Sequence, residues 1–154
     1  MPYEDIELVI IHEMGHVLGI GTFWEDKCGV RCYSGATMYT CDKAKAEYKA
    51  LGYTDNLKLE SNVCGHWSES NFGFKRDEIM TPYFDEGKYQ PISRITTAAL
   101  YDLGYEVDFG ASDTWNKQGR SLVLNETETL VPTHSFKIDE NSIIKPKMQR
   151  LFKL

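Results

Sequence analysis

The segment His12-Glu13-Met14-Gly15-His16 constrains this chain more than any other feature. Residues four apart share a face on a helix, so imidazoles at 12 and 16 can reach one ion when the segment is helical. The flanking residues favour that conformation. Pro2 suits a helix start, Ile6, Val9, Ile10 and Val17 recur at helical spacing, and Gly19 stands where the helix should stop; together they predict a helix over residues 4–18. The competing reading is a chance HExxH on an amphipathic helix. The apolar run Leu8–Ile11 just before the pair and the glycine turn just after it favour a metal site.

Two imidazoles point to Zn²⁺, one per chain, which binds imidazole nitrogen at about 2 Å and in catalytic sites takes a third protein ligand while leaving one position open. Glu13, next to His12, can reach a water at such a site rather than the metal, take its proton and act as general base for attack on a polarised carbonyl. The third ligand is not local. The compact pattern H-E-x-x-H-x-x-G-x-x-H would place a histidine at position 22, where this chain has Thr22. His66 and His134 remain; His66 is favoured because Cys64 can tether its loop, whereas His134 follows Pro132 in a poorly patterned tail. Glu25 or Asp26 would supply a carboxylate ligand instead, but both follow directly on the helix turn and rank lower.

The four cysteines, Cys28, Cys32, Cys41 and Cys64, fall in one loop-rich stretch and read most simply as two disulfides. Three pairings are open; Cys28 with Cys32 and Cys41 with Cys64 would each close a plausible loop. A structural zinc site fits less well, since Cys41 and Cys64 are too far apart for the usual paired spacing, and free buried thiols rank third. The sequon Asn125-Glu126-Thr127 agrees with an extracytoplasmic life, although Glu4, Asp5 and Glu7 occupy the place of a signal peptide, which this sequence lacks.

A chain of 154 residues with 42% hydrophobic content suits one domain with a real core. Residues 1–113 carry 10 Lys+Arg against 19 Asp+Glu, and residues 114–154 carry 7 against 4, giving the net charge of −6. An acidic body argues against nucleic acid as partner. No apolar run approaches the roughly 20 residues of a membrane span, so no transmembrane segment is expected.

The expected class is α+β, mainly helix and loop. An irregular, cross-linked region is predicted over 19–40, a helix over 42–51, loops over 53–90, a helix begun by Ser93 as N-cap and ended by Gly104, and a short strand over Tyr105–Phe109. Residues 1–113 are read as the zinc-binding region. Residues 114–154, with an alternating patch at 121–124 and a Lys-rich end, form an extension of unassigned structure.

The chain resembles the leishmanolysin-like metzincin family of zinc metallopeptidases over about residues 6–109. The resemblance lies in His12-Glu13-Met14-Gly15-His16-Val17-Leu18-Gly19, Gly65-His66-Trp67, Glu78-Ile79-Met80-Thr81-Pro82-Tyr83, and Pro91–Thr96 leading to Asp102-Leu103-Gly104-Tyr105. It implies an endopeptidase acting on peptide or protein, in which the third histidine is displaced by an insertion, Met80 is the Met-turn residue below the histidines, and Ser93–Leu103 is the C-terminal helix. Tyr83 becomes a candidate transition-state stabiliser, although it follows Met80 by three residues where some metzincins have two; a structural or surface tyrosine is the competing reading. The family's upstream sheet subdomain is absent from this sequence. The expectation is that it belongs to a larger extracellular or cell-surface protein and exposes an apolar face of its first helix. The competing functional readings are an inactive zinc-binding fragment and a disulfide-stabilised interaction module.

Overall fold

Helix α1 (Tyr3–Val17) forms where the apolar spacing predicts it, and Gly19 follows it at φ +107°. The computed structural model describes residues 3–32, 35, 37–72, 78–84 and 89–114. After α1 come α2 (Trp24–Cys28), β1 (Thr37–Met38), α3 (Asp42–Ala50), β2 (Lys58–Leu59) and α4 (Arg94–Asp102), with 3₁₀ turns at Glu69–Phe72 and Phe109–Ala111. The two strands form a small antiparallel sheet with Thr37 opposite Leu59 and Met38 opposite Lys58. The result is a small α+β domain made mostly of helix and loop. No helix among the described residues is long and apolar enough to cross a membrane.

Helix α1 buries Leu8 and Ile11 and leaves Ile6, Ile10 and Val17 exposed, with Val17 at 81%, so the expected apolar face is open. Helices α3 and α4 pack on each other. Cys41, the N-cap residue of α3, offers no side-chain cap. Asp102, at the end of α4, caps α3 across the interface, accepting from Lys43 N (3.0 Å), Ala44 N (2.9 Å) and the Tyr39 hydroxyl (3.1 Å). Ser93 caps α4 as predicted, its hydroxyl accepting from Thr96 N.

Two expectations need correction, and the disulfide pairing left open by the sequence is settled. The region 19–40 is not wholly irregular, because Trp24 drives α2 into the core, where its ring lies 5.2 Å from Tyr39 and 4.6 Å from Trp67. The segment Tyr105–Phe109 is not a continuous strand and runs into the 3₁₀ turn at Phe109–Ala111, where Asp108 accepts from Gly110 N. The cysteines pair as Cys28–Cys41 and Cys32–Cys64, not as neighbours in sequence. Cys28 ends α2, Gly29 turns the chain in the left-handed conformation, and the Thr40 hydroxyl donates to the Cys28 carbonyl, which brings Cys41 beside Cys28 and sends Cys32 on to Cys64. The 121–124 patch, the sequon and the Lys-rich end lie outside the described residues.

Trp67 is fully buried, ring against ring with Trp24 and Tyr39, and its indole donates to Thr96 Oγ1 (2.8 Å). Trp67→Ala is expected to lower unfolding free energy by about 3–5 kcal/mol, the usual cost of removing a core tryptophan, as read by urea denaturation. A loss below about 1 kcal/mol would show that this cluster is not central to the fold.

Candidate metal centre

Helical spacing sets His12 and His16 on the same face of α1, with their rings 4.8 Å apart and at 80° to one another. His66 reaches them from the end of a tight loop. Residues 58–60 and 66–68 run antiparallel: Glu60 N donates to the His66 carbonyl (2.9 Å), Ser68 N to the Lys58 carbonyl (3.0 Å), and Leu59 bridges Trp67. Cys64 ties the turn to Cys32, and Asn62 and Cys64 there hold positive φ angles of 70° and 56°. Such angles are uncommon for residues other than glycine and survive because the surroundings fix them.

Two glycines allow this approach. Gly21, at φ +77°, lies against Gly65 so closely that any Cβ would overlap its carbonyl, which lets the His66 loop close onto the end of α1. At Gly15 a Cβ would stand 2.5 Å from Met80 Sδ, so the buried Met80 thioether packs against α1 between the two histidine positions. Thr22, which holds the place of a local third ligand, donates its hydroxyl to the His16 carbonyl (2.9 Å).

All three rings are oriented by the nitrogen that faces away from the cluster. His12 Nδ1 donates to the Ile79 carbonyl (2.6 Å), His16 Nδ1 to the Ile20 carbonyl (2.9 Å), and His66 Nδ1 to Glu60 Oε2 (2.7 Å). Carbonyl and carboxylate oxygens only accept, so each Nδ1 carries a proton, and a ring held this way presents its lone pair inward at Nε2 when that nitrogen is unprotonated. The three Nε2 atoms lie 3.1, 3.1 and 3.2 Å apart. Three lone pairs at that separation repel unless a proton or cation lies among them. Tetrahedral zinc with bonds of about 2.0–2.1 Å needs ligand edges of about 3.3–3.4 Å, and this triangle is close to that. His12, His16 and His66 can therefore hold a metal ion, and they are the group among the described residues that can. Burial lowers the His12 pKa below the ordinary imidazole value, opposed by the Ile79 hydrogen bond and reinforced by His16 and His66; this keeps the ring neutral and ready to ligate.

Glu25 and Asp26 are exposed on α2 and outside the triad, and His134 lies outside the described residues. Glu13 is exposed beside His12 at the rim of a cleft of about 170 Å³ whose walls include Val9, Thr81, Pro82 and Phe84. Tyr83 also lines the cleft and is 56% exposed. The residues that orient the three rings carry no signature in the sequence. Glu60 stands six positions before His66 with no local motif, and Ile79 and Ile20 act through backbone carbonyls, which carry no side-chain signature. Comparisons with protein-family models, curated proteins and solved structures find no match for this chain.

His66→Ala is expected to reduce Zn²⁺ affinity by more than the ~100-fold that losing an outer partner can cost, while Glu60→Ala costs about 10–100-fold and His134→Ala leaves affinity unchanged, by competitive chelator titration. Reversal of the two histidine results would reassign the third ligand.

Proposed function

We propose that this chain is the catalytic zinc-binding part of a metalloendopeptidase of the leishmanolysin-like metzincin type. The observation that carries the reading is the convergence of three inward-facing Nε2 atoms beside Glu13 at the edge of a cleft. An all-imidazole donor set suits transition ions such as zinc over magnesium and calcium, hard ions that prefer oxygen. Zinc held there would supply Lewis acidity toward a carbonyl and toward water.

The remaining work falls to the chain. Ile79, Ile20 and Glu60 hold the three rings in one tautomer, so no rotation is needed to present the ligating nitrogens. Glu13 does not belong to the triad, and its carboxylate is available to take a proton from the attacking water and return it to the departing amide nitrogen. The apolar cleft wall of Val9, Pro82 and Phe84 suits a substrate side chain next to the reacting carbonyl. Tyr83, at the same cleft, is a candidate donor to the oxyanion. Met80 fills the space behind the ligand helix at Gly15, the role of a Met-turn residue. The two disulfides are compatible with an extracellular protein.

Glu13→Gln is expected to lower kcat for an unstructured protein substrate by about 10²–10⁴-fold with zinc content unchanged. The assay pairs hydrolysis with metal analysis of the same samples. Hydrolysis unaffected by the substitution contradicts the mechanism; full zinc binding with no hydrolysis by the unsubstituted chain would favour the interaction-module reading.

A further inference from the structure

The 78–80 turn holds a carboxylate that the proposed chemistry does not use. Glu78 is wholly buried, and its two oxygens are fully engaged: Oε2 accepts from Met80 N (2.6 Å), while Oε1 accepts from Ser93 N (3.2 Å), Ser93 Oγ (2.8 Å) and Thr96 Oγ1. The Thr96 hydroxyl also accepts from the Trp67 indole, which is a donor only, so its single proton must go to Glu78. The chain Trp67 to Thr96 to Glu78 therefore runs in one direction.

The N–H of Met80 and the carbonyl of Ile79 belong to the same planar peptide unit and point to opposite sides of it. Glu78 grips one side of that plane, and His12 Nδ1 donates to the other. We propose that Glu78 is a positioning residue of the histidine site, fixing the 79–80 peptide plane so that the Ile79 carbonyl holds the His12 ring in its ligating tautomer and orientation. A carboxylate accepting the N–H also polarises the peptide, which strengthens its carbonyl as an acceptor. The same turn receives Trp67 N at the Met80 carbonyl (3.0 Å), so it is braced from the His66 side as well. His66 thus has a carboxylate behind it directly, in Glu60, and His12 has one at a remove of one peptide group. The inference rests on the three-histidine metal-site reading.

Glu78→Gln keeps the shape but turns an amide NH₂ toward either Met80 N–H or Ser93 N–H, both donors, so the peptide plane loses its clamp. Asp102→Asn serves as control, since it disturbs a comparable hydrogen-bonded carboxylate that caps α3 and does not touch the triad. Two readouts are taken on each protein: Co²⁺ affinity by titration of its visible absorption, and the ring tautomers of the histidines without metal by ¹⁵N NMR. Glu78→Gln is expected to weaken Co²⁺ binding about tenfold or more and to mix the two tautomers of His12, while Asp102→Asn changes neither. Should Glu78→Gln not fold, Glu78→Asp withdraws the carboxylate by one methylene and is expected to act in the same direction more weakly. Co²⁺ affinity within about twofold of the unsubstituted chain together with an unchanged His12 tautomer would overturn the proposal, as would equal effects of the two substitutions. If the unsubstituted chain takes up no Co²⁺, the metal-site reading fails, and the tautomer of His12 still decides whether Glu78 positions it.

Discussion

Three imidazole lone pairs directed at one point repel one another, and most of the fold around α1 serves to hold them there. Two of the rings come from helical spacing alone, since positions 12 and 16 lie on one face whenever α1 forms. The third must be carried in from 50 residues further along the chain and held against chain entropy. The Cys32–Cys64 link shortens that search, Trp67 anchors the loop in the aromatic cluster with Trp24 and Tyr39, and Gly21 lets Gly65 come within backbone contact.

Orientation is supplied by a second layer whose members are spread along the chain. Ile20 follows α1 directly, Glu60 lies on the rising arm of the His66 loop, and Ile79 lies in the turn that also carries Met80. That turn is tied to α4 through Ser93 and Thr96, so the cap of α4 and the orientation of His12 share one buried carboxylate. Burial pushes the Glu78 carboxyl up, against the opposing pull of donors from Thr96, Met80 and Ser93. A helix terminus and the His12 ring are thereby linked through one hydrogen-bonded turn, although Ser93 lies 81 positions beyond His12.

The parts of the molecule that were legible in sequence are those encoded locally. The apolar period of α1, the Lys/Ala/Glu run of α3 and the Ser93 cap of α4 give boundaries within a residue or so of those observed. His66 was legible as the candidate third member of the cluster because a cysteine two positions earlier marks a tethered loop, and the structure joins that cysteine to Cys32. The pairing itself was not legible. It depends on where α2 and the Gly29 turn send the chain, and neither the buried Trp24 that drives α2 nor the contact of Thr40 with the Cys28 carbonyl shows in cysteine spacing. Tyr105–Phe109 reads as a short strand, yet Asp108 caps Gly110 N and the segment ends in the 3₁₀ turn that begins at Phe109. Glu60 and Glu78 were hidden for a related reason: what they do is defined by partners far away in the chain.

The identity of the groups that coordinate a bound ion tests the three-histidine site most directly. X-ray absorption spectroscopy at the zinc edge of the metal-loaded chain reads ligand identity without a substitution and without an assay of hydrolysis. One zinc per chain is expected, with outer-shell scattering from three imidazoles and first-shell nitrogen or oxygen at about 2.0–2.1 Å. Sulfur scattering at about 2.3 Å, fewer than three imidazoles, or no stoichiometric uptake would contradict the three-histidine site.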